Sequence, residues 1–322
     1  QLVAYVGLED FLAGLRSYFR DHAYGNATFD DLLSALETAS GRDLSDWGAQ
    51  WLRTTGLNTL TPDFTVGDDG TYTAFAVVQG PAEPGAGERR VHRIAVGVYD
   101  DDAAGKLVRT HRVELDLDAA ERTDVAELVG VPAGRFVLVN DDDLTYCSLR
   151  LDPASLETLT SRIGDIAESL PRTLAWSAAW EMTRQAETKA RDFVALVERG
   201  VDAETEVGVV QRLLLQAQTA LGSYADPEWA ETTGWPGFAD RLLELARAAE
   251  PGSDHQLAHV GALTSSVLAD RHLDVLRAVL DGDPTEQGLT GLTVDTDLRW
   301  RIVTALARSG AVDTGEETPT ID

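Results

Sequence analysis

Over the first sixty positions, apolar residues recur at three- and four-residue steps: Phe11, Leu12, Leu15 and Phe19, then Phe29, Leu32, Leu33 and Leu36. That spacing predicts helices with one buried face. Tyr24-Gly25-Asn26-Ala27 breaks the first, and Thr28 with Asp31 three residues later has the form of a capping box opening the second. Gly41-Arg42-Asp43-Leu44-Ser45 ends the second, and Ser45 or Asp46 is placed to cap a third that carries Trp47 and Trp51. Three short helices are expected. Because Gln1-Leu2-Val3-Ala4-Tyr5-Val6 reads as the middle of an amphipathic helix with no cap before it, the chain is expected to be a piece of a longer protein.

At Thr61-Pro62 the period changes. Residues 71–79, 93–99, 108–117 and 135–139 alternate apolar with polar and are rich in Val, Thr and aromatics, and Gly67-Asp68-Asp69-Gly70 supplies a turn before the first. Residues 80–87, with their Gly and Pro, form a loop. A small antiparallel β-sandwich over 61–151 follows. The helical period returns at Asp152-Pro153, an N-cap with proline at the first helical position. Helices are expected near 153–164, 171–186, 187–199, 203–222, 236–249, 254–270, 272–280 and 295–309. Many short amphipathic helices in succession suit an array of stacked helix pairs. The predicted organisation is thus multidomain α and β: helices over 1–60, a β-sandwich over 61–151, and an α-helical array over 152–322 that stops mid-domain. Residues 313–322 have no periodicity.

The charge balance narrows the partners. Among 322 residues, 54 are Asp or Glu and 27 are Lys or Arg, a formal charge of −27, which opposes binding to nucleic acid or to an anionic membrane surface. Most of this charge is scattered and reads as solvated surface. No apolar run approaches the roughly 18 residues of a membrane span, and no basic-then-apolar leader opens the chain. The one cysteine, Cys147, excludes an internal disulfide framework and fits a reducing compartment, so a cytoplasmic location is expected.

Candidate chemistry is sparse. His255 and His259 stand one helical turn apart, a zinc-compatible spacing, but the residue after the first histidine is Gln256, which cannot act as the general base of an H-E-x-x-H motif. With Leu257, Val260, Leu263, Val267 and Leu268 taken as the buried stripe, both histidines are expected on the flank or solvent side, and no metal site is assigned. His22, His92, His111 and His272 stand alone, and Cys147 reads as a small buried residue. Asn140-Asp141-Asp142-Asp143 reads as a solvated turn, since its spacing does not match a calcium loop. Asn26-Ala27-Thr28 matches a glycosylation sequon, but Thr28 is better used as a helix cap. The pairs Trp47 with Trp51 and Trp176 with Trp180 read as core packing. No catalytic, cofactor-binding or metal-ligating residue is assigned.

The first sixty residues also carry a resemblance. The stretches Phe11-Leu12-Ala13-Gly14-Leu15-Arg16-Ser17-Tyr18-Phe19, His22-Ala23-Tyr24-Gly25-Asn26-Ala27-Thr28, Asp31-Leu32-Leu33-Ser34-Ala35-Leu36-Glu37 and Trp51-Leu52-Arg53-Thr54-Thr55-Gly56-Leu57-Asn58-Thr59-Leu60 resemble the closing helices of the catalytic domain in the aminopeptidase N family of zinc metallopeptidases. A β-sandwich ending in Leu138-Val139-Asn140-Asp141-Asp142-Asp143-Leu144-Thr145-Tyr146 and leading to a helical domain is consistent with that family's layout, and Leu174-Ala175-Trp176-Ser177 and Asp295-Thr296-Asp297-Leu298-Arg299-Trp300 resemble stretches of its last domain, of the actinobacterial type. The resemblance implies a zinc-dependent aminopeptidase acting on peptides, with this chain supplying the β-sandwich and the helical cap over the active-site cavity. It implies no site residue here. Neither H-E-x-x-H nor Gly-x-Met-Glu-Asn occurs, the only methionine is Met182, and Tyr5 and Tyr18 lie past the family's catalytic tyrosine. The chain alone is then expected to be inactive and to bind no zinc, its partners being the missing N-terminal and catalytic domains. Residues 1–60 should leave an apolar face uncovered where the catalytic domain sat. A stand-alone helical interaction module without catalysis is the alternative.

Overall fold

The computed structural model describes residues 1–310, and the chain falls into two compact units, Gln1–Glu181 and Met182 onward. The first opens with α1 (Leu2–Val6), α2 (Leu8–Asp21), α3 (Phe29–Ser40) and α4 (Ser45–Leu52). There are four helices where three are predicted, because Gly7 at φ 95° divides the segment before Leu8. A positive φ is cheap for glycine and interrupts the helical backbone. The capping box at Thr28 forms as expected: the Thr28 Oγ1 accepts from the Asp31 N–H (3.3 Å), and Asp31 accepts from the Thr28 N–H (2.8 Å). Neither Ser45 nor Asp46 caps α4. Ser45 is its first helical residue, and the Asp43 carboxylate accepts from the Ser45 N–H (3.0 Å) and hydroxyl (2.6 Å), since an aspartate two residues upstream reaches that amide first. Val6, Leu33, Leu36 and Leu44 form the core of this segment. Gly14, the one fully buried residue of α2, lets the helix approach α3 so closely that a Cβ would meet the Ala35 carbonyl oxygen at 3.1 Å.

Seven strands follow: β1 (Thr59–Val66), β2 (Tyr72–Gln79), β3 (His92–Asp101), β4 (Leu107–Leu117), β5 (Arg122–Asp124), β6 (Phe136–Asp141) and β7 (Ser148–Leu149). They form two sheets, ordered β5-β2-β1-β7 and β4-β3-β6. The four predicted strands are present. The expected antiparallel pairing holds for β1 with β2, β2 with β5, and β3 with both β4 and β6; β7 departs from it and runs parallel to β1. All six residues of β6 are buried. As the edge strand of its sheet it is covered by α5 (Pro153–Arg162), whose Ser155 Oγ accepts from the Val137 N–H at 2.9 Å. Asp152 caps α5 as predicted, accepting from the Ala154 and Ser155 amides.

After α6 (Ser169–Arg184), the second unit is helical: α7 (Ala190–Gly200), α8 (Val207–Thr219), α9 (Pro227–Trp229), α10 (Trp235–Ala248), α11 (Asp254–Ser265), α12 (Asp270–Asp281) and α13 (Thr296–Arg308). Two π-helical segments, Ala220–Tyr224 and Ala230–Gly234, extend α8 and join α9 to α10. The helix predicted over 254–270 ends at Ser265. Within this unit α11 packs against α8, α10 and α13. Gln218 near the end of α8 donates to the Ala262 carbonyl (2.8 Å), and Arg308 at the end of α13 donates to the Thr264 and Ser266 carbonyls (3.1 and 2.7 Å). The C-terminal ends of α8, α11 and α13 therefore lie together, and the three helices run parallel. Residues 313–322 lie outside the described residues.

Candidate functional site

Of the candidate groups, His255 and His259 have the spacing most suggestive of a site. Their helix is turned differently from the prediction. The buried face of α11 is Gln256, Ala258, His259, Val260, Leu263 and Thr264, while Leu257 is 45% exposed. Gln256 explains the turn: its amide donates to the Ala246 and Thr290 carbonyls (both 3.2 Å), and its oxygen accepts from the Gly252 N–H (2.9 Å). A fully satisfied amide can be buried at little cost, and the period then carries His259 inward with it. His259 is thus buried rather than solvent-facing, and neither ring nitrogen has a hydrogen-bond partner. Burial, then the neighbouring His255 and Arg241, push its pKa down to about 4. The His255 Nε2 lies 3.2 Å from the Glu204 carbonyl oxygen. Among the described residues no group of three or more His, Cys, Asp or Glu could hold a metal ion. The pair has a glutamine in place of the base and, among the described residues, no third ligand, so its donor set does not fit a zinc centre.

The acidic run is likewise repositioned. Asn140 and Asp141 are buried, not part of a solvated turn. The Asn140 side chain accepts from the Thr145 N–H (3.1 Å) and donates to the Thr145 carbonyl (2.9 Å). Asp141 accepts from the Tyr99 hydroxyl (2.9 Å) and from Arg109 (2.8 Å), which also holds Asp142 (2.7 Å), and Arg112 adds a second contact to Asp142 (2.6 Å). Burial raises the Asp141 pKa. Burial opposes ionisation of Asp142 too, but its two arginines hold it below the ordinary carboxylate range. These carboxylates are matched by guanidinium groups in an ionic network of which only Asp141 is buried.

The other candidates have structural roles. Cys147 is half-buried with its thiol pKa raised by desolvation, the opposite of what a nucleophile needs. Trp47 and Trp176 are buried, as expected of core residues. Trp47 and Trp51 lie 6.4 Å apart, with Tyr5 stacked on Trp47. Thr28 is occupied in its cap. His272 is buried, with its Nε2 2.8 Å from Asp240.

Sequence reasoning missed Arg90. It is fully buried, and its guanidinium donates to the Gln50, Thr55 and Gly56 carbonyls, the Thr54 hydroxyl and the Asn58 side-chain oxygen at 2.7–3.2 Å, with its face 5.1 Å from the Trp51 ring. All of these acceptors are uncharged. One is a carbonyl in the last turn of α4, where the helix dipole favours a cation. Beside it His92 is buried edge-on to Trp51 (5.0 Å), its Nδ1 2.9 Å from the Thr145 hydroxyl and its pKa pushed down to about 3 by burial and then by Arg90. This node ties α4 to β3. The dipeptide Arg89-Arg90 carries no local sign of it, since its acceptors come from residues more than thirty positions away.

The helical start leaves apolar surface uncovered. On α2, Leu8, Leu12 and Phe19 are 61%, 41% and 67% exposed, all on one stripe. An uncovered apolar face over residues 1–60 is what the resemblance to the aminopeptidase N family implies.

Residues 136–318 match the model of the ERAP1-like C-terminal domain. The chain belongs to that family. It is 49% identical over 317 residues to aminopeptidase N of Streptomyces lividans, a match covering 96% of this chain and 36% of that protein. It is 34% identical over 110 residues to aminopeptidase N of Escherichia coli K12, covering 32% of this chain and 12% of the relative. Over 56 residues it is 43% identical to the tricorn protease-interacting factor F2 of Thermoplasma volcanium, covering 17% and 7%. Among solved structures, Legionella pneumophila aminopeptidase A in complex with aspartic acid aligns over 95% of this chain and 38% of its own, at 12% identity and a TM-score of 0.43. The aminopeptidase N resemblance first met in residues 1–60 thus extends over nearly the whole chain, which spans about a third of the length of the Streptomyces relative (36%).

Proposed function

We propose that this chain is the C-terminal portion of a zinc-dependent aminopeptidase that removes N-terminal residues from peptides in the cytoplasm, and that it is inactive by itself. The observation that carries the reading is the 49% identity to aminopeptidase N over 317 residues, set against coverage of only 36% of that relative. In this reading, residues 1–60 close the catalytic domain, 61–151 pack their two sheets face to face as a β-sandwich, and 152–322 stack helix pairs into a cap over the active-site cavity. Zinc and its activated water belong to the portion of the relative that this chain does not span. The chain's own contribution is positional. The α2 stripe of Leu8, Leu12 and Phe19 packs against the catalytic domain, and the Arg90 cage holds α4, and with it the helical segment, on β3.

The test is hydrolysis of aminoacyl anilides with and without zinc, by this chain and by the longer polypeptide. Zinc-dependent hydrolysis by the longer polypeptide alone is the expected result. Hydrolysis by this chain, or its absence from both, overturns the reading.

A further inference from the structure

The two sheets of the first unit end in four edge strands, and three of them are unfit to take a further partner. β5 has three residues and β7 two, and β6 lies under α5. The fourth is β4, at eleven residues the longest strand among the described residues. Its outer edge is held only at its start, where the Ala167 N–H donates to the Leu107 carbonyl (3.1 Å). Along residues 108–117 no strand among the described residues pairs with that edge, and no proline interrupts it. A long row of unpaired N–H and C=O groups is a template for another strand.

Charged side chains usually defend such an edge, and here they cancel. Arg109 and Arg112 balance Glu114 and Asp116, so the segment carries no net charge in a chain of −27. A uniformly acidic or basic strand gains nothing there, whereas a strand of the same mixed charges does.

The order of those charges selects the partner. In an antiparallel pair, directly opposite residues turn their hydrogen-bonding groups the same way, so a strand pairing with its own copy is centred on a residue. Centring on Arg112 sets two arginines opposite each other, and centring on Glu114 sets two glutamates so. Centring on Val113 puts Arg112 of each chain opposite Glu114 of the other, His111 opposite Leu115, and Thr110 opposite Asp116. Opposite charges across an antiparallel pair stabilise it, and like charges destabilise it. Within one strand Arg112 and Glu114 already pair at 2.6 Å, their side chains each 34% exposed, so the two-fold closes a square of four alternating charges. The pairing of residues 111–117 with β3 is unbroken, the bulge lying beyond it at Val98 and Tyr99.

We propose that β4 is a homodimer interface, through which two copies of this chain pair antiparallel over residues 110–116. Their three-stranded sheets then join into one sheet of six strands, and the two-fold closes the assembly at a dimer. The pairing does not depend on the peptidase reading.

The experiment is sedimentation equilibrium of this chain over a concentration series, alongside Arg112→Glu, Glu114→Arg and an equimolar mixture of these two variants, each checked for folding by thermal unfolding. A monomer–dimer equilibrium is expected for the unaltered chain, with self-association weakened about tenfold or more in each variant. The mixture should associate as tightly as the unaltered chain, because in the Val113-centred register each variant meets the opposite charge only in the other. An unaltered chain that stays monomeric overturns the proposal. So does weakening without recovery in the mixture, which would assign the effect to charge without register. A dimer that survives both substitutions and dissociates with Leu12→Glu overturns it in favour of the apolar stripe on α2. A dimer of this chain that is lost in the longer polypeptide overturns it in favour of another domain on the edge. Amide hydrogen exchange of the unaltered chain needs no variant: exchange over residues 110–116 should slow as concentration rises, and exchange independent of concentration overturns the proposal.

Discussion

Strand β6 and helix α2 treat their apolar residues in opposite ways. All six residues of β6 are buried, and its outer edge is covered by α5. Helix α2 buries only Gly14 and holds Leu8, Leu12 and Phe19 in solvent. Apolar surface left wet forgoes about 25 cal/mol per Å², so β6 has its apolar side chains satisfied within this chain while α2 does not. Between them lies the Arg90 node, which anchors the incomplete segment to the complete one. A polar junction of this kind holds orientation without apolar surface of its own, which suits a segment whose apolar face is kept for something else.

The sharpest way to break the comparison is at the junction. Arg90→Ala leaves the part-buried carbonyls of residues 50, 55 and 56 and the buried Asn58 side-chain oxygen without their donor, and should cost about 2–4 kcal/mol of stability, measured by urea denaturation. A loss near zero would mean that the helical segment is held elsewhere.

Acid should act on the same junction. The His92 pKa is about 3 in the folded chain, below its ordinary value of 6.5, so the unfolded state binds the proton first. The stability is therefore fully present above pH 6.5 and falls as the pH drops toward 3, by up to about 4 kcal/mol from this group. His92→Gln should flatten that part of the profile. An unchanged slope would show that the acid sensitivity lies elsewhere.

A smaller effect belongs to the helical start itself. Thr28→Ala removes the capping box of α3 and should cost about 1 kcal/mol, read as a shift in the urea midpoint. No shift would mean that the segment is already frayed in isolation.

Elements governed by neighbours in sequence were legible. Thr28 with Asp31, and Asp152 with Pro153, marked helix starts because a cap is a contact over three residues. Strands β2, β3, β4 and β6 were long enough to show alternation. The two- and three-residue strands β7 and β5 were too short to do so, and β1 hid behind Pro62, a residue that argues against a strand. Gly7 divided the first helix through a backbone conformation that spacing does not reveal. The histidine pair was misplaced because Leu257 and Val267 were counted in the buried stripe, whereas both are exposed and carbonyls from elsewhere in the second unit satisfy a polar Gln256 inside. Arg90 was illegible for the same reason, since its acceptors are assembled only by the fold.

The central proposal is that the stripe on α2 is an interface with the rest of a larger polypeptide. Amide hydrogen exchange of Leu8–Asp21 measures this directly, in this chain and in the longer polypeptide. Exchange on α2 slowed by about tenfold or more in the longer polypeptide, with β6 equally protected in both, is the predicted result. Equal exchange on α2 in the two would contradict the claim.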